Sequence, residues 1–360
     1  MELFKNLLGK KEKPIKSYED FWIWFQENEK TFFKTVKNKH NVQKDFLEIV
    51  QQKLDEIQED IFYFLTGMAD DNTVELIFSA EGDIKNIVYV EEIVKLAPKI
   101  DGWIFTALKP ELRIEDVNIE MDGYNFNKDN IYFYPNDDKN FPDEINLILA
   151  HNDYTIDNEN IITMGMFIFL DNFLGELNAV TIIDSVNVVA KNDAEKELIP
   201  IEKLKSYLLW RQKEFIEKYE GIRHNTKDDK YVGLEAQTEN GQPSLAVMNS
   251  DLLQWDGKAS HPWMVVVELK YDGENNNGMP DEKTYQLYNE IEDDIMSELK
   301  DSEGYLNIGR ETGLNKRTIY FACQDFRKPS KVLQERAKRY GFEYAIFKDK
   351  YWRSVSHFAK

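Results

Sequence analysis

The chain has a single cysteine, Cys323, in 360 residues. No intramolecular disulfide can form, which suits a reducing compartment, and no thiolate zinc cluster can be assembled. Cys323 closes the apolar run Thr318-Ile319-Tyr320-Phe321-Ala322-Cys323. No base or electropositive neighbour stands beside it in sequence, so it reads as a buried, inert thiol. Long apolar runs are missing as well. The longest, Met164 to Leu170 and Trp263 to Val267, fall far short of a membrane span. The segment Met1–Lys10 has neither the apolar core nor the small-residue cleavage site of a signal peptide. A cytoplasmic location is therefore expected. Lys10, Lys11, Lys13 and Lys16, with Leu3, Phe4, Leu7 and Leu8, read as a frayed basic start rather than a membrane anchor.

Positive charge is the next deficit. Forty-five basic side chains face 66 acidic ones, for a net charge of −21. Such a body repels phosphate backbones, so general nucleic-acid binding is disfavoured. The charge serves solubility, and it also allows an acidic face to dock on a basic partner.

Catalytic and cofactor motifs are lacking. No G-x-x-x-x-G-K-[ST] or G-x-G-x-x-G occurs, and helical zinc motifs and serine elbows are absent. His40, His151, His224, His261 and His357 never fall three or four residues apart, the usual spacing of ligands on one helix. Asp272-Gly273-Glu274-Asn275-Asn276-Asn277-Gly278 superficially resembles a calcium loop. Its glycine comes one place late, however, and Lys283 stands where the twelfth-position acid belongs. The loop at His151–Glu159, with Asp153, Asp157 and Glu159, reads as polar rather than as a cation site. Neither a metal nor a cofactor is expected.

What is present is apolar surface: 42% hydrophobic and 13% aromatic residues, enough for packed cores. At roughly 100–200 residues per domain, two domains are the natural expectation. Ser17-Tyr18-Glu19-Asp20 reads as a helix start. Behind it Phe21, Trp22, Phe25, Phe32, Phe33 and Val36 recur at helical spacing, as a core stripe. A second helix carries Phe46, Leu47, Val50, Leu54 and Ile57. Strands are expected at Ile61–Leu65 and Val74–Ser79, with Gly67 and Asp70-Asp71-Asn72 turning between them. A helix from Asn86 to Leu96 and a strand at Trp103–Phe105 follow. Then come strands at Ile131–Tyr134 and Ile145–Leu149, a helix-like run from Ile162 to Gly175, and a β-branched strand from Val180 to Val189. A helix from Ile201 to Tyr219, with Leu204, Leu208, Leu209 and Phe215 inside, ends the region. Residues 1–220 read as an N-terminal α+β domain, as one unit or as two halves split near 125. The polar stretch 221–230 reads as a linker.

Residues 231–360 carry the clearest pattern. Tyr231–Ala236 and Leu245–Met248 flank a loop at Gln237–Gln242. After them come a strand at Trp263–Leu269, a helix at Asp281–Leu299, and a hairpin of Tyr305–Arg310 and Thr318–Cys323 around Gly313-Leu314-Asn315. A helix at Lys331–Tyr340, ended by Gly341, and a strand at Phe342–Phe347 complete the set. The order βαββαβ predicts a ferredoxin-like sandwich, so the fold class is α+β.

Gly278-Met279-Pro280, Glu292-Asp293, Asn307-Ile308-Gly309-Arg310, Arg317 and Tyr320 give residues 230–355 a resemblance to a bacterial family known as domain of unknown function six-nine-five. Phe21-Trp22-Ile23-Trp24-Phe25, Ser79-Ala80-Glu81-Gly82, Ala97-Pro98 with Trp103, and Leu170-Asp171-Asn172-Phe173-Leu174-Gly175-Glu176 are similar to landmarks of a domain commonly associated with it. The C-terminal fold also resembles that of a small bacterial inhibitor of ribonuclease E, a likeness of fold alone. None of these resemblances implies an activity.

The candidate contact residues are few. Glu290, Asp294 and Glu298 fall at i, i+4, i+8 on one helix: a solvated face, a docking stripe, or the acidic half of a pairing with Lys331, Arg336, Lys338 and Arg339. Arg310 and Arg317 flank the hairpin tip. They could clamp a carboxylate or phosphate, or pair with Glu311 or Glu268. The leading reading is a non-enzymatic binding or regulatory protein acting through acidic surfaces on a partner with a basic face, toxin or enzyme inhibition being one version. Two alternatives stand beside it. One is a carboxylate-dependent hydrolase or transferase using Glu81, Asp171 and Glu176. The other is a small-molecule sensor with an interdomain pocket, which would need an aromatic-lined cleft around Trp103 or Trp255. Oligomeric state is open.

Overall fold

The Ser17 side chain accepts a hydrogen bond from Asp20 N and starts the first helix, α1 (Tyr18–Lys37). The structure, a computed structural model, describes residues 14–237 and 241–359. Lys10, Lys11 and Lys13 of the basic tail, with its four apolar residues, lie outside the described residues, as does the loop tip at 238–240. The chain divides into two units, residues 1–111 with Gly175–Leu177, and residues 112–174 with 178–360.

In the first unit, a π-helical stretch (Gln43–Leu47) leads into α2 (Glu48–Asp55), followed by β1 (Tyr63–Asp70), β2 (Thr73–Ser79), α3 (Ile84–Lys95) and β3 (Trp103–Ala107). β1 and β2 are an antiparallel hairpin, and α3 carries the chain across to β3, parallel to β2. Gly67 is inside β1, opposite Glu75, so the turn is left to Asp71 and Asn72. The aromatic stripe of α1 is core: Phe21, Trp22, Phe25 and Phe32 are buried. Trp22 meets Phe105 at 4.6 Å between ring centroids, and its indole N–H donates to Ile93 O at 2.8 Å. Large rings bury much apolar area per residue, which lets three short strands support a core.

The second unit begins with the small hairpin β4 (Ile119–Met121) and β5 (Tyr124–Phe126). Next come β6 (Ile131–Pro135), β7 (Asn146–His151), α4 (Glu159–Leu174), α5 (Glu176–Thr181, its first two residues counted with the first unit), β8 (Ser185–Ala190), β9 (Ile199–Pro200) and α6 (Leu204–Tyr219). The four-stranded sheet runs β8-β7-β6-β9, with β7 and β8 parallel across α4. Phe133, Leu149, Ile162, Met166, Phe169 and Leu204 share its core. The β-branched run from Val180 differs from expectation. Helix α5 holds through Thr181 and the strand starts only at Ser185. Leu209, expected inside α6, is 65% exposed.

The rest of the chain forms β10 (Tyr231–Gln237), β11 (Pro243–Asn249), α7 (Ser250–Leu253), β12 (Trp263–Lys270), α8 (Glu282–Glu298), β13 (Tyr305–Gly313), β14 (Lys316–Cys323), α9 (Arg327–Tyr340) and β15 (Glu343–Lys348). Its six-stranded antiparallel sheet has the order β10-β11-β13-β14-β12-β15. The run β12-α8-β13-β14-α9-β15 is a βαββαβ unit, and β10 and β11 extend it beyond β13. Leu314 and Asn315, both at positive φ, make the two-residue turn between β13 and β14. Gly341 ends α9 at φ 74°. One sheet face packs Met264, Leu306, Ile308 and Ala322 against Trp352, Val355 and Phe358. Strand alternation turns Val265, Val267, Ile319 and Phe321 to the other face, with α8 and α9. The fold is α+β.

The polar stretch before β10 is bonded at several points. His224 Nε2 lies 2.8 Å from Asp229, and Thr226 Oγ1 donates to Asp301 at 2.8 Å. The smaller sheet and the end of β15 meet at a group of buried charges. Asp184 accepts from Lys348 at 3.0 Å and from Lys350 at 2.7 Å, and Lys350 Nζ also donates to Asp143 O at 2.7 Å. Among the described residues, no helix is long and apolar enough to cross a membrane.

Candidate functional site

The candidate residues of the six-stranded sheet and α8 are brought together by an irregularity in β13. Asn307 pairs with Phe321 and Gly309 with Tyr320, so three residues of β13 match two of β14, a β-bulge with Ile308 as the extra residue and Gly309 closing it. Without the bulge, Asn307 and Arg310 would point to opposite faces. With it, both reach α8. Asn307 Nδ2 donates to Glu292 Oε1 at 3.0 Å, and Arg310 Nη1 donates to Glu292 Oε2 at 2.9 Å. Glu292 is only 4% exposed. Gly309 sits at φ +143°, where a Cβ would overlap the Val247 carbonyl oxygen and lie 2.8 Å from Met248 Cα. The bulge thus requires glycine.

Arg317 is the second element of the site. It faces Thr312 across the hairpin, on the same sheet face as Arg310, and is fully buried. Its Nε donates to Thr312 Oγ1 at 3.1 Å and its Nη1 to Asn289 Oδ1 at 2.8 Å. Its Nη2 is buried with no hydrogen-bond partner. The guanidinium lies 4.7 Å from the Tyr285 ring centroid and 5.9 Å from that of Tyr288.

The two arginines are perturbed in opposite directions. Burial works against the charge of Arg310, but the Glu292 carboxylate outweighs it and holds this guanidinium above its usual value. Burial and then the neighbouring Arg310 press Arg317 below its usual value. A buried cation, Arg317, and a partly exposed one, Arg310, share one buried carboxylate, and that carboxylate is spent on Arg310. An arginine does not shed its proton in a protein. A buried charge without a counter-charge costs several kcal/mol, and two cation–π contacts of roughly 1–2 kcal/mol each return only part of it.

The expected partners of the arginines are engaged elsewhere. Glu311 accepts from Ser244 Oγ at 2.7 Å, and Glu268 pairs with Lys316 at 2.6 Å. Of the acidic line on α8, Asp294 turns to α9. It accepts from Arg336 Nε at 3.2 Å and from Tyr340 Oη at 3.0 Å, and Glu298 lies 3.9 Å from Arg336. Burial pushes the Asp294 carboxyl up, but Arg336 and Tyr340 outweigh it and hold it below the usual carboxylate range. Glu290 stays on the exposed side. So α8 and α9 are joined by ion pairs at Asp294, while the arginines gather at Glu292.

Elsewhere the candidate groups serve the fold. Glu176 is fully buried, and its carboxylate accepts from Ala80 N at 2.8 Å, Gly82 N at 3.1 Å and Lys109 N at 3.1 Å. Glu81 and Gly82 both have positive φ, a tight turn that aims the Ala80 and Gly82 amides at the carboxylate. Glu81 itself pairs with Lys109 at 3.1 Å. Asp171 is half-buried on α4. His151 is buried between Asn125 O and Asp153 N, and burial lowers its pKa. Burial, then Arg223 and His224, lower that of His261 to about 3. Trp103 belongs to the aromatic core of the first unit, and Trp255 packs on His224, His261 and Trp352. Loop Asp272–Gly278 clasps the hairpin tip: Asn315 N donates to Gly278 O at 3.0 Å, and Gly273 N donates to Asn315 Oδ1 at 3.0 Å. No group of three or more His, Cys, Asp or Glu side chains placed to hold a metal occurs among the described residues.

The bulge glycine, the paired arginines, Glu292 and the clasp all lie within one stretch of sequence that has relatives. Residues 235–358 match the Family of unknown function (DUF695). The match spans the bulge, both arginines, Glu292 and the Gly278 clasp, and it does not extend to the N-terminal landmarks. No curated protein and no solved structure matches the chain.

Proposed function

We propose that the chain is a non-enzymatic, cytoplasmic binding or regulatory protein that docks through an acidic face on a protein partner with a basic one. Its C-terminal domain, read as ferredoxin-like, presents that face along α8. The observation that carries the reading is the make-up of the outer side of this helix. Glu282, Glu290 and Asp293 are exposed there, beside exposed Tyr285, Leu287 and Met296. Aromatic and methionine side chains within a charged surround favour protein contact, and a net charge of −21 steers basic partners while repelling nucleic acid. Asp294 and Glu298 contribute less, being turned to α9.

The test is recovery of the tagged full chain at low salt, beside a variant carrying Glu282→Lys, Glu290→Lys and Asp293→Lys. Retention of one stoichiometric protein by the native chain, lost at high salt and lost by the variant, is expected. Nothing retained at low salt, or equal retention by the variant, refutes the reading.

A further inference from the structure

We propose that the Arg317 guanidinium anchors a binding site for a small oxyanion, the carboxylate or phosphate group of a small molecule, with the Tyr285 ring as its cover. The argument starts from the unmatched charge. Arg317 is fully buried and keeps one buried nitrogen, Nη2, without a hydrogen-bond partner. Its other contacts are neutral: Thr312 Oγ1, Asn289 Oδ1 and the faces of two tyrosines. Glu292, the carboxylate whose charge acts on Arg317, already accepts from both Arg310 and Asn307. A planar guanidinium offers parallel N–H groups that suit the two oxygens of a carboxylate or two oxygens of a phosphate, and these are the bonds it forms most strongly when water is excluded.

Access runs past Tyr285. That residue is 42% exposed while its ring stacks 4.7 Å from a guanidinium that solvent does not reach. In this proposal a rotamer change of Tyr285, which gives up the hydrogen bond between its side chain and Arg310, opens the way to Nη2. Arg310 adds positive potential from the same sheet face, and its pairing with Glu292 keeps that carboxylate off Arg317. The inference shares Tyr285 with the proposed docking surface but does not depend on that reading. It concerns a positive, buried centre behind α8 rather than the acidic outer side of the helix.

The test is a titration of the full chain followed through the arginine Nε–H resonances, with inorganic phosphate in one series and acetate in another, at constant ionic strength against chloride. The Arg317 signal is expected to move saturably with one of the two, while that of exposed Arg113 does not. The anion that saturates identifies the group recognised. Arg317→Lys, which keeps the charge and loses the planar fork, is followed through the neighbouring Arg310 signal, which wild-type binding also moves, and is expected to bind at least about tenfold more weakly. Tyr285→Ala, which removes the cover, is expected to keep binding. A wild-type Arg317 signal that neither anion moves saturably overturns the proposal, as does undiminished binding in Arg317→Lys. The wild-type titration decides even if a variant fails to fold.

Discussion

Replacing Gly309 with alanine tests the geometry on which the candidate site is built. At φ +143° an L side chain is strained by about 1–3 kcal/mol. The added methyl would also meet the Val247 carbonyl oxygen and Met248 of the neighbouring β11, overpacking that costs about 1–3 kcal/mol more. Strand β13 can escape this only by giving up the bulge. That escape turns the side chains beyond the bulge, Arg310 among them, away from Glu292 and leaves a buried carboxylate without its counter-charge, a loss of about 3–5 kcal/mol. Every route therefore costs about 2–6 kcal/mol, a large part of the stability of an ordinary domain. At Gly233, in β10 of the same sheet, an added methyl would meet nothing within 4 Å and φ is not positive. Gly233→Ala is therefore the matched control, expected within about 0.5 kcal/mol of the native chain. Hydrogen exchange at the β13 and β14 amides, measured in the full chain, reports this sheet separately from the first unit. Protection of those amides should fall by about 30-fold or more in Gly309→Ala and stay near native in Gly233→Ala. Equal protection in the two variants would refute the account of the bulge.

Other expectations follow from the buried charges. Asp184→Asn leaves Lys348 and Lys350 facing each other without their shared carboxylate, and should cost about 3–5 kcal/mol in urea unfolding. A loss below about 1 kcal/mol would mean that water already screens the pair. His261, whose folded pKa of about 3 lies below the unfolded value near 6.5, is neutral in the folded chain. Its contribution is complete above pH 6.5 and declines as pH falls toward 3, because only the unfolded chain takes up the proton in that window. Between pH 6.5 and 5 the loss is about 2 kcal/mol, and His261→Gln should flatten that slope. A folded-state titration of His261 near pH 6.5 would contradict it. Burial raises the Cys323 thiol and keeps it from solvent, so a thiol reagent should label it only as the chain unfolds.

Much of the architecture is legible in the sequence because each element satisfies several local rules at once. Strand β12 alternates faces, Gly341 stops α9 and Ser17 caps α1. Sequence and structure part where local pattern underdetermines face or state. Val180 and Thr181 are β-branched, yet they close a helix, because at a helix end their stiffness costs little. Gly67 has the look of a turn residue and lies in a strand. A regular strand would set Arg310 on the face of Glu268, but one extra residue in a bulge flips every side chain beyond it. Gly309 is the only signal of that flip. Arg317 cannot be read as buried from its neighbours in sequence, since arginine is almost always exposed. Its burial follows from a strand register and a helix position that no short window contains. The Glu176 carboxylate, similarly, finds its amides 94 and 96 residues away.

That last contact has a consequence for how the chain is made. The first unit comprises residues 1–111 and Gly175–Leu177, so its final piece emerges from the ribosome only after Leu112–Leu174. At roughly 5–20 residues per second this is a wait of about 3–13 s. During it, the backbone amides of Ala80, Gly82 and Lys109 have only water in place of their carboxylate. The N-terminal unit is thus begun first and completed late, and a fragment that stops at residue 111 is missing its own anion.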